Sequence, residues 1–103
     1  LLLAHGADVT VATNNGRTPL YAASDSGHLE VAKLLLAHGA DVTVATNNGR
    51  TPLYAASDSG NLEVAKILLS HGADVAAADT GGWTPLHAAS VKGHDKLAEL
   101  FLQ

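Results

Sequence analysis

The sequence predicts an all-α chain folded as a solenoid of stacked antiparallel helix hairpins joined by β-turns. Three observations carry that expectation. Residues 1–33 and 34–66 are identical except that His28 becomes Asn61, a 33-residue period that continues in diverged form through Leu68-Leu69-Ser70-His71-Gly72-Ala73-Asp74-Val75 and Trp83-Thr84-Pro85-Leu86-His87-Ala88-Ala89. A Thr-Pro pair recurs in the same register at Thr18-Pro19, Thr51-Pro52 and Thr84-Pro85. Apolar residues at helical spacing run between glycine stops. Such a period is the mark of stacked supersecondary units, each too thin to bury its own apolar face.

Each unit opens on a turn. Asn14-Asn15-Gly16-Arg17 holds an Asn-Gly pair, both of whose residues tolerate positive φ. Thr18 then caps a helix through its hydroxyl, and Pro19 at the first helical position presets φ and loses no needed N–H. A short helix is expected over 19–26, ended by Gly27. A second helix is expected over 29–37, with Leu29, Ala32, Leu35 and Leu36 on one apolar face. Glu30 stands near its positive end, Lys33 and His38 nearer its negative end, and Gly39 supplies the stop. Ala22 and Ala23 keep the shorter helix thin, so the pair can pack closely as a hairpin. Helices of ~8–11 residues do not persist alone in water, so stacking must supply their burial.

The succession Gly16-Arg17-Thr18-Pro19-Leu20-Tyr21-Ala22-Ala23, then Ser26-Gly27-His28-Leu29-Glu30-Val31-Ala32-Lys33-Leu34-Leu35-Leu36, then His38-Gly39-Ala40-Asp41-Val42 resembles the ankyrin repeat, and the resemblance covers essentially the whole chain. It implies one ankyrin-repeat domain over 1–103. Read from turn to turn, that domain divides into a partial repeat 1–12, repeats 13–45 and 46–78, and a terminal repeat 79–103. The partial repeat lacks its short helix, so Leu1 to Leu3 should leave apolar surface on the leading edge. The other end, Lys96-Leu97-Ala98-Glu99-Leu100-Phe101-Leu102-Gln103, combines a polar face suited to capping with a large apolar Phe101. The start at Leu1, without Met or a basic segment, reads as a cut through a longer chain.

Near-identity of two copies fits a natural array recently amplified by duplication or an engineered array. Designers place charged helix formers on exposed sites. Here Thr10, Val11, Thr13, Ser24 and Ser26 stand at sites read as exposed, and Tyr21 and Tyr54 stand where the family usually has His, which favours the natural array.

Composition narrows the function. The chain is 47% hydrophobic but only 4% aromatic, as thin Ala- and Leu-rich layers require. A net charge of -4 argues against nucleic acid, whose binders carry a basic stripe. The absence of Cys removes disulfides, thiolate metal sites and a thiol nucleophile. Apolar runs such as Leu34-Leu35-Leu36-Ala37 fall far below the ~18 residues of a membrane span. Cytoplasm or nucleus is the expected compartment, and no cofactor is expected.

Candidate binding residues come from the resemblance. It implies a concave surface for protein partners, made of turn tips and the exposed side of the short helices. The matching turn positions are Asn14, Asn15 and Arg17, then Asn47, Asn48 and Arg50, then Thr80, Gly81 and Trp83. The short-helix positions are Asp25 and Ser26, Asp58 and Ser59, and Val91 and Lys92. Trp83, of a type enriched in interface hot spots, either binds or packs over the neighbouring turn. Arg17 and Arg50 either clasp a partner's carboxylate or are solvated. Asp25 and Asp58 form an acidic row, suited to repeated basic groups or merely solvated.

Histidine invites a metal reading that spacing refuses. His5, His38 and His71 occupy one slot in successive layers ~10 Å apart, whereas zinc ligands converge within ~2.1 Å of the ion. They are expected to satisfy backbone carbonyls at the ends of the long helices. The resemblance gives His87 hydrogen bonds between turns, and replacement by Tyr21 and Tyr54 leaves that network incomplete in the first two turns. No Ser, His and carboxylate set stands out, and Gly81-Gly82 lacks the following Lys-Ser/Thr of a phosphate loop. Thr10, Thr43 and Ala76 occupy the position where some ankyrin repeats carry a hydroxylated Asn, so that modification is not expected.

The leading expectation is a non-catalytic protein-protein interaction scaffold. Its rivals are a structural spacer or array that self-associates end to end through the uncapped N-terminal edge, and a fragment of the sensor array of a larger receptor.

Overall fold

A Thr-Pro pair ahead of an apolar segment fixes where each short helix begins. The computed structural model describes residues 7–103, in which six helices follow in order: α1 (Pro19–Ser26), α2 (Leu29–Ala37), α3 (Pro52–Ser59), α4 (Leu62–Ser70), α5 (Pro85–Lys92) and α6 (Asp95–Phe101). The expected helices 19–26 and 29–37 are found at those bounds. Leu1 to Leu3 and His5, with the expectations attached to them, lie outside the described residues.

Thr18, Thr51 and Thr84 are extended N-caps whose hydroxyls accept the N–H of Tyr21, Tyr54 and His87 at 3.2, 3.2 and 3.3 Å. The long helices close differently. His38 is the C-cap of α2, Gly39 follows at φ 91°, and Ala40 N donates back to Leu35 O at 3.0 Å, so the stop spans two residues rather than the glycine alone. His38 Nδ1 donates to Leu34 O at 2.9 Å and His71 Nδ1 to Ile67 O at 3.0 Å, the carbonyl role expected of them.

The expected tight turn forms with a single left-handed residue. Only Gly16 of the Asn-Gly pair takes positive φ, at 82°, and no other residue type does so among those described. Gly16 N donates to Thr13 O at 2.8 Å and Thr13 N to Arg17 O at 2.9 Å, closing a tight loop that ends on a left-handed glycine. Asn15 therefore needs no strained backbone.

Short helices stack on short helices, α1 on α3 on α5, and long on long, α2 on α4 on α6, giving extents of 40 × 25 × 20 Å. One apolar cluster threads every layer, from Val9 through Leu20, Leu53 and Leu68 to Leu97, with Ala32 and Ala65 fully buried in it. Phe101 is half-buried against this cluster while Leu102 stays exposed.

Ser24 overturns its reading as an exposed site. It and Ser57 are wholly buried because the next short helix covers them, and their hydroxyls donate to Leu20 O at 2.7 Å and Leu53 O at 2.6 Å. The opposite face of α1 shows the converse. Pro52 and Ala55 of α3 are buried beneath α1, but their counterparts Pro19 and Ala22 are half-buried and exposed.

Candidate functional site

The turns are carried to one side by the caps just described. They are joined to each other by backbone rather than by the Thr-Pro-Leu-His histidine. Asn47 N donates to Asn15 O at 2.9 Å, Asn47 Nδ2 to Asn14 O at 2.9 Å, and Thr80 N to Asn48 O at 2.8 Å. The turns are thus bridged at Tyr21 and Tyr54 as well, because main-chain groups make these bonds whatever residue stands two places after the proline. His87 instead turns back on its own cap: Thr84 N donates to His87 Nδ1 at 3.1 Å, while Thr84 Oγ1 lies 2.8 Å from it. This hydroxyl–imidazole pair closes a capping box, so both groups serve the helix start.

Tyr21 and Tyr54 do something the sequence reading missed. Arg17 Cζ lies 5.4 Å from the Tyr21 ring centroid, and Arg50 Cζ lies 4.9 Å from that of Tyr54. Each guanidinium is held over an aromatic face. Burial pushes the Tyr21 hydroxyl above its ordinary pKa. The signal was present in the sequence as Arg and Tyr repeating together four residues apart.

Two depressions open along this side. One of about 250 Å³ is lined by Asn15, Arg17, Tyr21, Thr46, Asn47, Asn48 and Arg50. The next, about 240 Å³, is lined by Arg50, Tyr54, Asp58, Trp83, Ala88 and Val91. Arg50 forms a wall of both.

The expected residues reach solvent on this side. Asn14, Asn15, Arg17, Asn47, Asn48, Thr80, Gly81 and Trp83 are exposed at the turns, and Arg50 is half-buried. Asp25, Ser26, Ser59, Val91 and Lys92 are exposed at the short-helix ends, and Asp58 is half-buried. Trp83 keeps 42% of its surface free and sets its ring against His87 edge-on, with centroids 5.4 Å apart at 70°.

Several of these side chains are also bound within the chain. Arg50 Nε meets Asp79 Oδ2 at 3.4 Å, and Lys92 Nζ meets Asp58 Oδ1 at 3.4 Å. Ser59 Oγ donates to Asp25 Oδ1 at 2.9 Å. The acidic row is therefore met, layer by layer, by groups of the following repeat. Asp79 stands where the earlier turns have Thr13 and Thr46. Its Oδ1 accepts the N–H of Gly81 at 2.8 Å and Trp83 at 2.9 Å, and these bonds, led by that of Trp83, hold its carboxyl below the ordinary range against the opposing effect of burial.

A second row of contacts lies where the short helices end. Asn61 Nδ2 donates to Ser24 O at 2.7 Å, and His94 Nε2 donates to Asp58 O at 3.1 Å. The single difference between the near-identical copies, His28 against Asn61, falls at this slot. Either side chain offers the N–H that a carbonyl requires.

Among the described residues no group of three or more His, Cys, Asp or Glu could hold a metal, and no helix is long and apolar enough to cross a membrane. Helix hairpins stacked around a continuous apolar cluster, with arginine and aromatic side chains displayed between successive turns, define a helical-repeat solenoid. A family model described as ankyrin repeats (3 copies) matches residues 1–46 and 44–103, and the chain belongs to the ankyrin repeat family. No curated protein matches it. Ankyrin repeats are in general protein-protein interaction modules, and proteins built from them are in general non-catalytic scaffolds.

Proposed function

We propose that the chain is a non-catalytic scaffold that holds a partner protein on its concave turn and short-helix surface, through the residues from Asn14 to Lys92 named above. The observation that carries this reading is the run of two depressions walled by Arg17, Tyr21, Arg50, Tyr54 and Trp83. Arg, Tyr and Trp are enriched among hot spots, since each offers a large contact area with a polar edge. The opposite side displays short ion pairs, Glu30 with Lys33 and Glu63 with Lys66, both at 3.3 Å. Such exposed pairs contribute little to binding or stability.

Affinity capture from a cell extract tests the reading. The intact chain is compared with an Arg17→Ala, Arg50→Ala, Trp83→Ala variant and with a Lys33→Ala, Lys66→Ala variant, all shown to be folded by circular dichroism. A protein retained by the intact chain and the second variant but lost from the first supports it. Retention by all three overturns the site.

A further inference from the structure

We infer that the turn and short-helix surface takes a partner segment extended in the polyproline II conformation, carrying a carboxylate side chain and, three residues away, an apolar or aromatic one. The inference rests on the scaffold reading and names its partner class. The two depressions are close in size and adjacent, yet their charge differs.

In the first, Arg17 has no carboxylate within ion-pair distance among the described residues. Its guanidinium stacks on Tyr21 at 5.4 Å, which restrains the side chain while leaving N–H edges to donate. Arg50 on the far wall is half-neutralised, since Asp79 meets its Nε and leaves the terminal nitrogens. Asp25, the nearest acid along α1, does not line the depression and already accepts from Ser59. The excess charge between the first two turns is therefore positive, and an anionic group in a fork of guanidinium donors gains charge-assisted bonds.

In the second depression the charges cancel. Arg50 is opposed by Asp79, and Asp58 by Lys92 at 3.4 Å. What distinguishes it is an apolar wall of Trp83, Ala88 and Val91, with Val91 65% exposed. Trp83 and Val91 stand in this repeat where the earlier copies carry Arg and Asp. A second carboxylate gains nothing there, whereas a hydrophobic side chain covers free surface.

Spacing joins the two. Packed helices lie ~8–10 Å apart, and a segment in the polyproline II conformation has about three residues per turn and rises ~3.1 Å per residue, so side chains three residues apart share a face and reach successive depressions.

Nuclear magnetic resonance titration of the 103-residue chain measures this directly, because it registers weak binding. The probes are Gly/Ser peptides holding one Glu and one Phe three residues apart, in both orders, with Gln-for-Glu and Gly-for-Phe analogues. One order should bind and shift the Trp83 indole and the Arg17 and Arg50 side-chain signals. Replacing Glu by Gln in that peptide should weaken it by about tenfold, the worth of one charge-assisted hydrogen bond. Arg17→Gln in the protein should abolish that discrimination while leaving the preference for Phe, and Trp83→Ala should do the reverse. Equal affinity for the Glu and Gln peptides, binding of neither order, or discrimination that survives Arg17→Gln overturns the inference. If these results accompany a captured partner that still requires Arg17, Arg50 and Trp83, the scaffold reading stands without it. A captured partner indifferent to those residues removes both.

Discussion

At Gly60 one missing methyl group decides how two repeats meet. Its φ is 81°, and an added Cβ would lie 2.7 Å from His94 Cε1, the ring that donates to Asp58 O. Gly93 has a similar φ of 73°, but a Cβ there meets nothing within 4 Å. Gly93→Ala should therefore cost about 1 kcal/mol through backbone strain alone. Gly60→Ala should cost roughly twice that, because displacing the His94 ring also breaks its hydrogen bond. Urea denaturation followed by circular dichroism separates the two, and equal losses would mean that the inter-repeat contact contributes nothing.

Asp79 offers a test in pH. Its carboxyl sits below the ordinary value of 3.8, mainly through the Trp83 N–H, so the folded chain favours the charged form. That contribution is present above the unfolded pKa and is lost as pH falls through the folded one, which places the change below about pH 4. Asp41, lowered by its bonds from Thr43, titrates in the same window. The informative quantity is thus the stability difference between the parent and Asp79→Asn, which should shrink as pH is lowered from about 6 to about 3. A difference that stays constant would show that the Asp79 charge is not linked to folding.

At the scale of elements, the helix boundaries were legible because start and stop signals lie within a few residues of each end. Thr18-Pro19 and Gly27 are sufficient for α1. Thr51→Ala should remove the hydroxyl that accepts the Tyr54 N–H and cost about 1 kcal/mol in thermal or urea unfolding. Leu53→Ala, at a wholly buried position between α1 and α5, should cost about 3–5 kcal/mol. Ser24 was not legible in the same way. Its surroundings are set by α3, 33 residues further on, and no local pattern separates a serine facing water from one facing a neighbouring copy. Nor did the Asn-Gly pair specify how the turn would divide its backbone angles between Asn15 and Gly16. That depends on the Thr13–Arg17 hydrogen bond, which forms only when the turn closes.

Across the whole molecule, periodicity made the architecture readable, since identical copies can bury their apolar faces only against one another. The general location of the candidate surface followed from the same register. Its chemistry did not. The pairs Arg50 with Asp79 and Lys92 with Asp58 join residues from different copies, and they become visible only once the layers are stacked. Tyr21 and Tyr54 were read as losses of a histidine, yet each supports an arginine. Because one apolar cluster runs from Val9 to Leu97, the hairpins should unfold together. Trp83 fluorescence, which reports the last hairpin, should give the same midpoint as circular dichroism. Separate midpoints would mean that the last layer opens alone.

The function is tested most directly by photo-cross-linking in a cell extract, with a photoreactive phenylalanine placed at Asn48 on the turn surface and, separately, at Lys66 on the long-helix side. The proposed scaffold predicts discrete protein adducts from position 48 and none from position 66. Adducts from position 66 alone would place the partner on the opposite side and contradict the binding surface proposed for this chain.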